Sequence, residues 1–273
     1  MKFEIKKLLN RNELCIAFLV LLIAVCGNFI YTLQLYKGFK YSDIHSPSNL
    51  YVLNNITHSP TELFFSLLLP LISCYIGSSI AIEEHNNEIT PCIYTRISRK
   101  KQLIKQGLAV AIISCVVFFT ALLVNLLLVN LFIPKGGNNY YCLPEETILS
   151  SSNYCIFEDI LKYHPILYMA LTMLYRGIVA GVFAWFGYGL SHMFKFFKKT
   201  HVIVAPFIIM TAFEILSVII ERLTNSTNAW TRIGLYSSTY TFKEVIPTLT
   251  LLGFFIITGA IGIYIGTKRE DIY

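Results

Sequence analysis

The chain has 273 residues, 55% of them hydrophobic and only 14% charged, with a mean hydropathy of +0.60. That balance excludes a soluble globular domain and points to an integral membrane protein. The formal net charge of +6 would suit a polyanion partner. The bases, however, are scattered through short loops beside apolar runs, so they report membrane topology rather than nucleic-acid binding.

Residues 1–13 interleave Phe3, Ile5, Leu8 and Leu9 with Lys2, Lys6, Lys7 and Arg11, the pattern of an interfacial amphipathic helix. The apolar run that follows, 14–33, is too long for a signal-peptide core and has no small-residue cleavage site, so it reads as an uncleaved first span. Further runs of spanning length are 63–82, 108–133, 166–190, 202–220 and 246–265, which predicts an all-α polytopic membrane protein with six transmembrane helices. Pro70 and Pro206 fall inside two of these runs, where neighbouring groups can satisfy the freed carbonyl.

The stretch 83–106 is a charged interruption between the second and third runs. Glu83, Glu84 and Glu88 end one apolar segment, and Thr90 with Pro91 supplies an N-cap hydroxyl and a first-turn proline for a short helix. On that helix Ile93, Ile97 and Ile104 fall near one face, with Arg99, Lys101 and Gln102 on another. Summed over alternate loops, one side holds Lys2, Lys6, Lys7, Arg11, Arg96, Arg99, Lys100, Lys101, Lys105, Lys195, Lys198, Lys199, Lys268 and Arg269. The other holds half as many: Lys37, Lys40, Lys135, Lys162, Arg222, Arg232 and Lys243. The bias places both termini in the cytoplasm.

Three outer loops remain, at 34–62, 134–165 and 221–245. The second contains Cys142 and Cys155, which an oxidising envelope could join and a reducing one would leave as two thiols. The third carries Trp230, Ile233, Leu235, Tyr236, Tyr240 and Phe242, an aromatic density suited to the headgroup level.

Two ionisable residues lie deep in predicted spans: Arg176, about ten residues inside the fourth, and Glu214, about six from the outer end of the fifth. An unpaired charge there costs roughly 2.5 to 3.5 kcal/mol on insertion scales. An Arg176 to Glu214 ion pair between adjacent spans is therefore expected, either as a packing clamp or lining a path. Gly177 with Gly181, and Gly262 with Gly266, are small-xxx-small pairs expected to seat helices within this chain.

The sequence contains no GxxxxGK[ST] phosphate loop and no HExxH or GxSxG motif, so neither ATP hydrolysis of that kind nor hydrolase chemistry is expected of this chain. Glu83-Glu84 is not followed by the arginine four residues on that intramembrane prenyl-protein proteases carry, since position 88 is Glu. No metal site is expected, because no Cys/His pair has zinc spacing.

The layout resembles the membrane subunits of type 2 ATP-binding-cassette exporters. The likeness rests on Ile82-Glu83-Glu84, then Tyr94-Thr95-Arg96-Ile97-Ser98-Arg99-Lys100-Lys101 and Lys105 ahead of a span, and on Lys198-Lys199-Thr200-His201 followed by Pro206-Phe207. Where relatives often place a glycine after the loop's glutamate, this chain has Asn86, Asn87 and Glu88. The resemblance implies that residues 84–101 form a cytoplasmic coupling loop docking a separate ATPase subunit, with Glu83, Glu84, Glu88, Arg96 and Arg99 as the docking residues. It also implies a second copy or a sister permease as partner, ATP and Mg bound by the ATPase, and a bacterial plasma membrane as the site of action. Two other classes compete: a motor-independent secondary carrier or channel, and a sensor or toxin-immunity subunit. A carrier would need span-buried acids for coupling ions, and Glu214 alone qualifies.

Overall fold

The computed structural model describes residues 2–40, 65, 67–77, 98–133, 160, 164–193, 199–224 and 245–268. Their regular structure is helical, with no strand among the described residues. In chain order the helices are α1 (Lys2–Leu9), α2 (Asn12–Leu35), α3 (Leu67–Gly77), α4 (Arg99–Phe132), α5 (Pro165–Met193), α6 (Lys199–Thr224) and α7 (Val245–Lys268). Five of them, α2, α4, α5, α6 and α7, are long and apolar enough to cross a membrane. The helical segment of the expected second span is the short apolar α3, and the ends of that run lie outside the described residues.

Most boundaries fall within a few residues of the apolar runs, because it is the run that must be buried in lipid. The exception is α4, which begins at Arg99 rather than Leu108 and continues unbroken for 34 residues. Lys100, Lys101, Gln102, Leu103, Ile104, Lys105 and Gln106 are all good helix formers with no breaker among them. The stretch before the span is therefore its first two turns and not a separate element. Residues 91–97, where a short coupling helix is expected to start, lie outside the described residues. The helix α1 has Glu4 in its first turn and Lys6 and Lys7 in its last, which complements its dipole. Gly38, at φ +90°, closes the turn after α2, a backbone region that side-chain-bearing residues rarely adopt.

Contacts fix the relative directions. Asn125 meets Val25 and Phe132 meets Phe29, so α2 and α4 run the same way and Asn12 falls near the level of Ile112. Gly177 lies on Cys115 and Gly181 on Ala111, so α5 runs against α4. Phe183 meets Phe255, Gly189 meets Gly259 and Gly262, and His192 meets Gly266, so α7 runs with α5. One end of the bundle thus gathers α1, the start of α4 and the ends of α5 and α7, and with them Lys6, Lys7, Arg11, Arg99, Lys100, Lys101, Lys105 and Lys268. We call this the basic end.

At the centre stands α5. A Cβ added to Gly181 would sit 2.8 Å from the Ala111 carbonyl oxygen, and one at Gly177 2.9 Å from that of Cys115. Its other side meets α7 at Gly189, where Gly259 and Gly262 bring the two backbones together. The short α3 reaches the same helix at Gly187, against the Cys74 thiol. Both glycine pairs of the sequence are therefore seams inside this chain. Lipid tails are as apolar as leucine, so helices in a bilayer associate through such close contact rather than through the hydrophobic effect.

The seams are unequal. Across its membrane-crossing stretch 50% of α5 is buried, against 17% of α6. The buried stripe of α6 is thin: Val202, Pro206, Met210 and Ser217.

Substituting Gly181 by Leu should destabilise the protein by about 1 to 3 kcal/mol, because a backbone carbonyl has to move. Gly253→Ala, where nothing lies within 4 Å of the added Cβ, should leave stability unchanged or raise it by up to ~1 kcal/mol. Thermal unfolding in detergent distinguishes the two. Equal melting temperatures for both variants would contradict the seam.

Candidate functional site

Inside this apolar bundle the buried polar groups fall into three tiers, each tying two helices together. Near the end of the bundle away from the bases, Asn125 on α4 donates from Nδ2 to the Val25 carbonyl of α2 at 3.2 Å. Asn28 and Thr32 are buried on the neighbouring turns of α2, and the Thr32 hydroxyl bonds back to the Asn28 carbonyl at 2.9 Å. A buried amide left without a partner in hydrocarbon is costly, so this bond fixes the register of α2 on α4.

The middle tier surrounds Arg176. It is the bulkiest of the fully buried side chains among the described residues, at 1% exposure. Ser114 of α4 donates to the Ala180 carbonyl at 3.4 Å, and the Cys74 thiol of α3 donates to the Phe183 carbonyl at 3.0 Å. Glu214 is partly buried on α6, and α6 packs against α5. Its neighbour Phe213 sits edge-on to Phe254 at 5.1 Å, beside Phe255, which in turn meets Phe183 at 4.9 Å. Arg176 is seven residues from Phe183, about 10 Å of helical rise, so the two ionisable residues lie on adjacent helices within roughly two turns of each other.

The tier at the basic end joins α4 to α5 through side chains alone. The Tyr188 hydroxyl donates to Oε1 of Gln106 at 2.9 Å, and both residues are almost fully buried. Gly107 gives room for the Trp185 and Tyr188 rings. Trp185 continues across to α7, donating from Nε1 to the Ile256 carbonyl at 3.3 Å. His192 sits edge-on to Tyr188 with ring centroids 4.7 Å apart. Gln102, one turn before Gln106, is also buried.

Of the expected docking residues, Arg99 is the first residue of α4 and is partly buried. Glu83, Glu84, Glu88 and Arg96 lie outside the described residues, as do Cys142, Cys155 and the aromatic stretch 230–242. The four cysteines that are described, Cys15, Cys26, Cys74 and Cys115, are free thiols. Among the described residues no cluster of three His, Cys, Asp or Glu side chains has the arrangement of a metal site. At the end of α2, Tyr36 sits edge-on to Phe39 at 5.8 Å, and burial pushes its phenol above the ordinary value.

Sequence reasoning missed the bond between Gln106 and Tyr188. Its signal was the pair Gln102 and Gln106, four residues apart at the head of an apolar run, where surface lysines alone would have sufficed for topology. Comparison with protein-family models, curated proteins and solved structures finds no match to this chain.

Tyr188→Phe should cost about 1 to 3 kcal/mol, because the buried Gln106 amide loses its donor. Adding Gln106→Leu should recover much of that loss, and thermal melts of the three proteins provide the check. Independently, either Arg176→Glu or Glu214→Arg alone should impair assembly, and the double exchange should restore it if the two groups pair. Absence of rescue would show that they act separately.

Proposed function

We propose that this chain is the permease subunit of a type 2 ATP-binding-cassette exporter in a bacterial plasma membrane. In this reading it crosses the bilayer six times, with α3 as the core of the second span and both termini in the cytoplasm. It works as a dimer or beside a sister permease. Two separate ATPase subunits, which hold ATP and Mg, dock beneath it, and the chain itself carries no catalytic residue. Its cargo is an amphipathic molecule of the peptide, drug or lipid class.

The observation that carries the proposal is the form of α4. Thirty-four residues at a rise of ~1.5 Å make a rod of about 50 Å, while the hydrocarbon core is about 30 Å thick. Part of the surplus lies at the basic end, in the charged turns from Arg99 to Lys105 that precede the exposed apolar residues Leu108 and Ile112. The projecting turns follow the expected coupling loop directly. They are tied to the central helix by Gln106 and Tyr188. A push that reaches Arg99 is thereby carried along continuous helix to α5, and through the glycine seam to α7. The resemblance in loop layout supports the same assignment, as does the collection of the bases at one end.

Closure of the ATPases on ATP drives this rod. The weakly held α6 then moves relative to α5, opening a path beside Arg176 and Glu214. Electrostatic docking of an acidic ATPase groove onto Arg96 and Arg99 sets the register of the push.

The test is co-expression of the full chain with the ATPase subunit encoded beside it, followed by affinity capture and ATPase assay of the complex. Arg96→Glu with Arg99→Glu should weaken capture by about tenfold or more, since reversed charges at an interface repel. Intact capture and transport in that variant would overturn the proposal. So would solute movement down an ion gradient by the purified chain alone.

A further inference from the structure

The basic end carries a second surface, built from residues other than the docking set Glu83, Glu84, Glu88, Arg96 and Arg99. On α4 the exposed residues Lys101, Lys105, Leu108 and Ile112 recur at spacings of four, three and four, so they form one continuous stripe along the helix. Above the lysines that stripe is wholly apolar, running through Leu108, Ile112 and Val116, with exposures of 43%, 43% and 53%. In a membrane such a stripe faces acyl chains. Lys101 and Lys105 therefore stand where the acyl layer ends, and their stems reach along it to the headgroups.

The helix α1 adds a second outward face at the same end. Since Asn12 lies near the level of Ile112, α1 sits beside the first turns of α4, and the two pack together with Leu8 buried between them. Facing away from that contact are Phe3, Lys6 and Leu9, spaced three residues apart. Phe3 is 75% exposed and Leu9 54%. Two large apolar side chains flanking a lysine on an outward face are unfavourable in water and favourable at the border of headgroup and acyl layer. No acidic residue occurs anywhere in α4, and Glu4 of α1 is partly buried away from the outward face. Among the described residues of α1 and α4, the outward faces carry lysines and no acidic side chain.

We propose that the exposed lysines of this end, Lys101 and Lys105 on α4 and Lys6 on α1, bind the phosphates of anionic phospholipids, with Leu108 on the one helix and Phe3 and Leu9 on the other against the first methylenes of the chains. Continuity with the lipid-facing stripe selects a lipid over a protein: a soluble partner on these lysines would have to displace the acyl chains that cover Leu108. Arg99 is turned partly into the bundle and belongs to the other face. This assignment needs only that the chain spans a membrane, and it stands or falls separately from the exporter role.

A lysine close to an anionic leaflet is worth roughly fivefold in binding, so loss of three should remove most of the preference for charged lipid. The full chain is purified in mild detergent and titrated with phosphatidylglycerol or phosphatidylcholine, and retained lipid is counted by native mass spectrometry. The wild type should retain phosphatidylglycerol about tenfold better than phosphatidylcholine. Lys6→Gln with Lys101→Gln and Lys105→Gln should lose that preference, whereas the corresponding triple change to Arg should keep it. Should the Gln variant fail to purify, retention of phosphatidylglycerol by the wild type must fall steeply with added salt while that of phosphatidylcholine stays level. Equal retention of both lipids by the wild type would overturn the proposal, as would an undiminished preference in the Gln variant or a salt-independent one. A Gln variant that keeps its lipid but no longer captures an ATPase would assign the lysines to protein docking and equally overturn it.

Discussion

The approach of one backbone to another at the glycines of α5 is the constraint on which the rest of the structure depends. Where Gly177 and Gly181 meet the carbonyls of Cys115 and Ala111, and Gly189 meets Gly259 and Gly262, no side chain separates the helices. Helix pairs that close gain dispersion contacts and weak Cα–H to carbonyl interactions along their length. Because α4, α5 and α7 share these seams, they form one block, with α3 wedged into it at Cys74 and Gly77. The rings of Phe183, Phe186 and Phe255 pack against one another elsewhere along the contact of α5 with α7.

That block makes buried polarity tolerable. A serine, thiol or amide inside hydrocarbon needs a partner, and a neighbouring helix at glycine distance brings its carbonyls within reach. Ser114, Cys74 and Trp185 each use a carbonyl on an adjacent helix in this way. Asn125 extends the pattern to α2. Arg176 is the extreme case. Burial of a guanidinium among helices is tolerated only where the surroundings are fixed, and the glycine next to it in sequence, Gly177, is one of the points that fix them. Outside the block, α6 touches mainly α5 and leaves Ile208, Ile215, Leu216, Val218 and Ile219 exposed. Close and sparse packing are thus separated along the same chain, with α6 as a thinly packed wall beside the block.

How much of this was legible in the sequence follows from range. Five of the six expected spans were legible because a bilayer demands about twenty consecutive apolar residues, whatever they later touch. The helical start at Arg99 was not, because the apolar count stops where the charges begin while helix propensity continues through Lys100 to Gln106. The small-xxx-small spacing marked Gly177 and Gly181 as a seam but did not name Ala111 and Cys115 as the other side. Gln106 and Tyr188 are 82 positions apart, and nothing local in either stretch predicts their meeting; only the register set by the glycines brings them together. Arg176 and Glu214 stood out at once because a charge in an apolar run is conspicuous, and the structure adds that the former is sealed and the latter lies on the least buried of the spanning helices.

Amide hydrogen exchange resolved along the chain, in the intact protein held in a lipid nanodisc, tests the division between block and wall most directly. Amides of α5 from Ala180 to Gly189 should be the slowest, and those of α6 from Met210 to Ile219 should exchange faster by about tenfold or more. Equal protection in the two helices, or slower exchange in α6, would contradict a fixed core of α4, α5 and α7 with α6 as its loose partner.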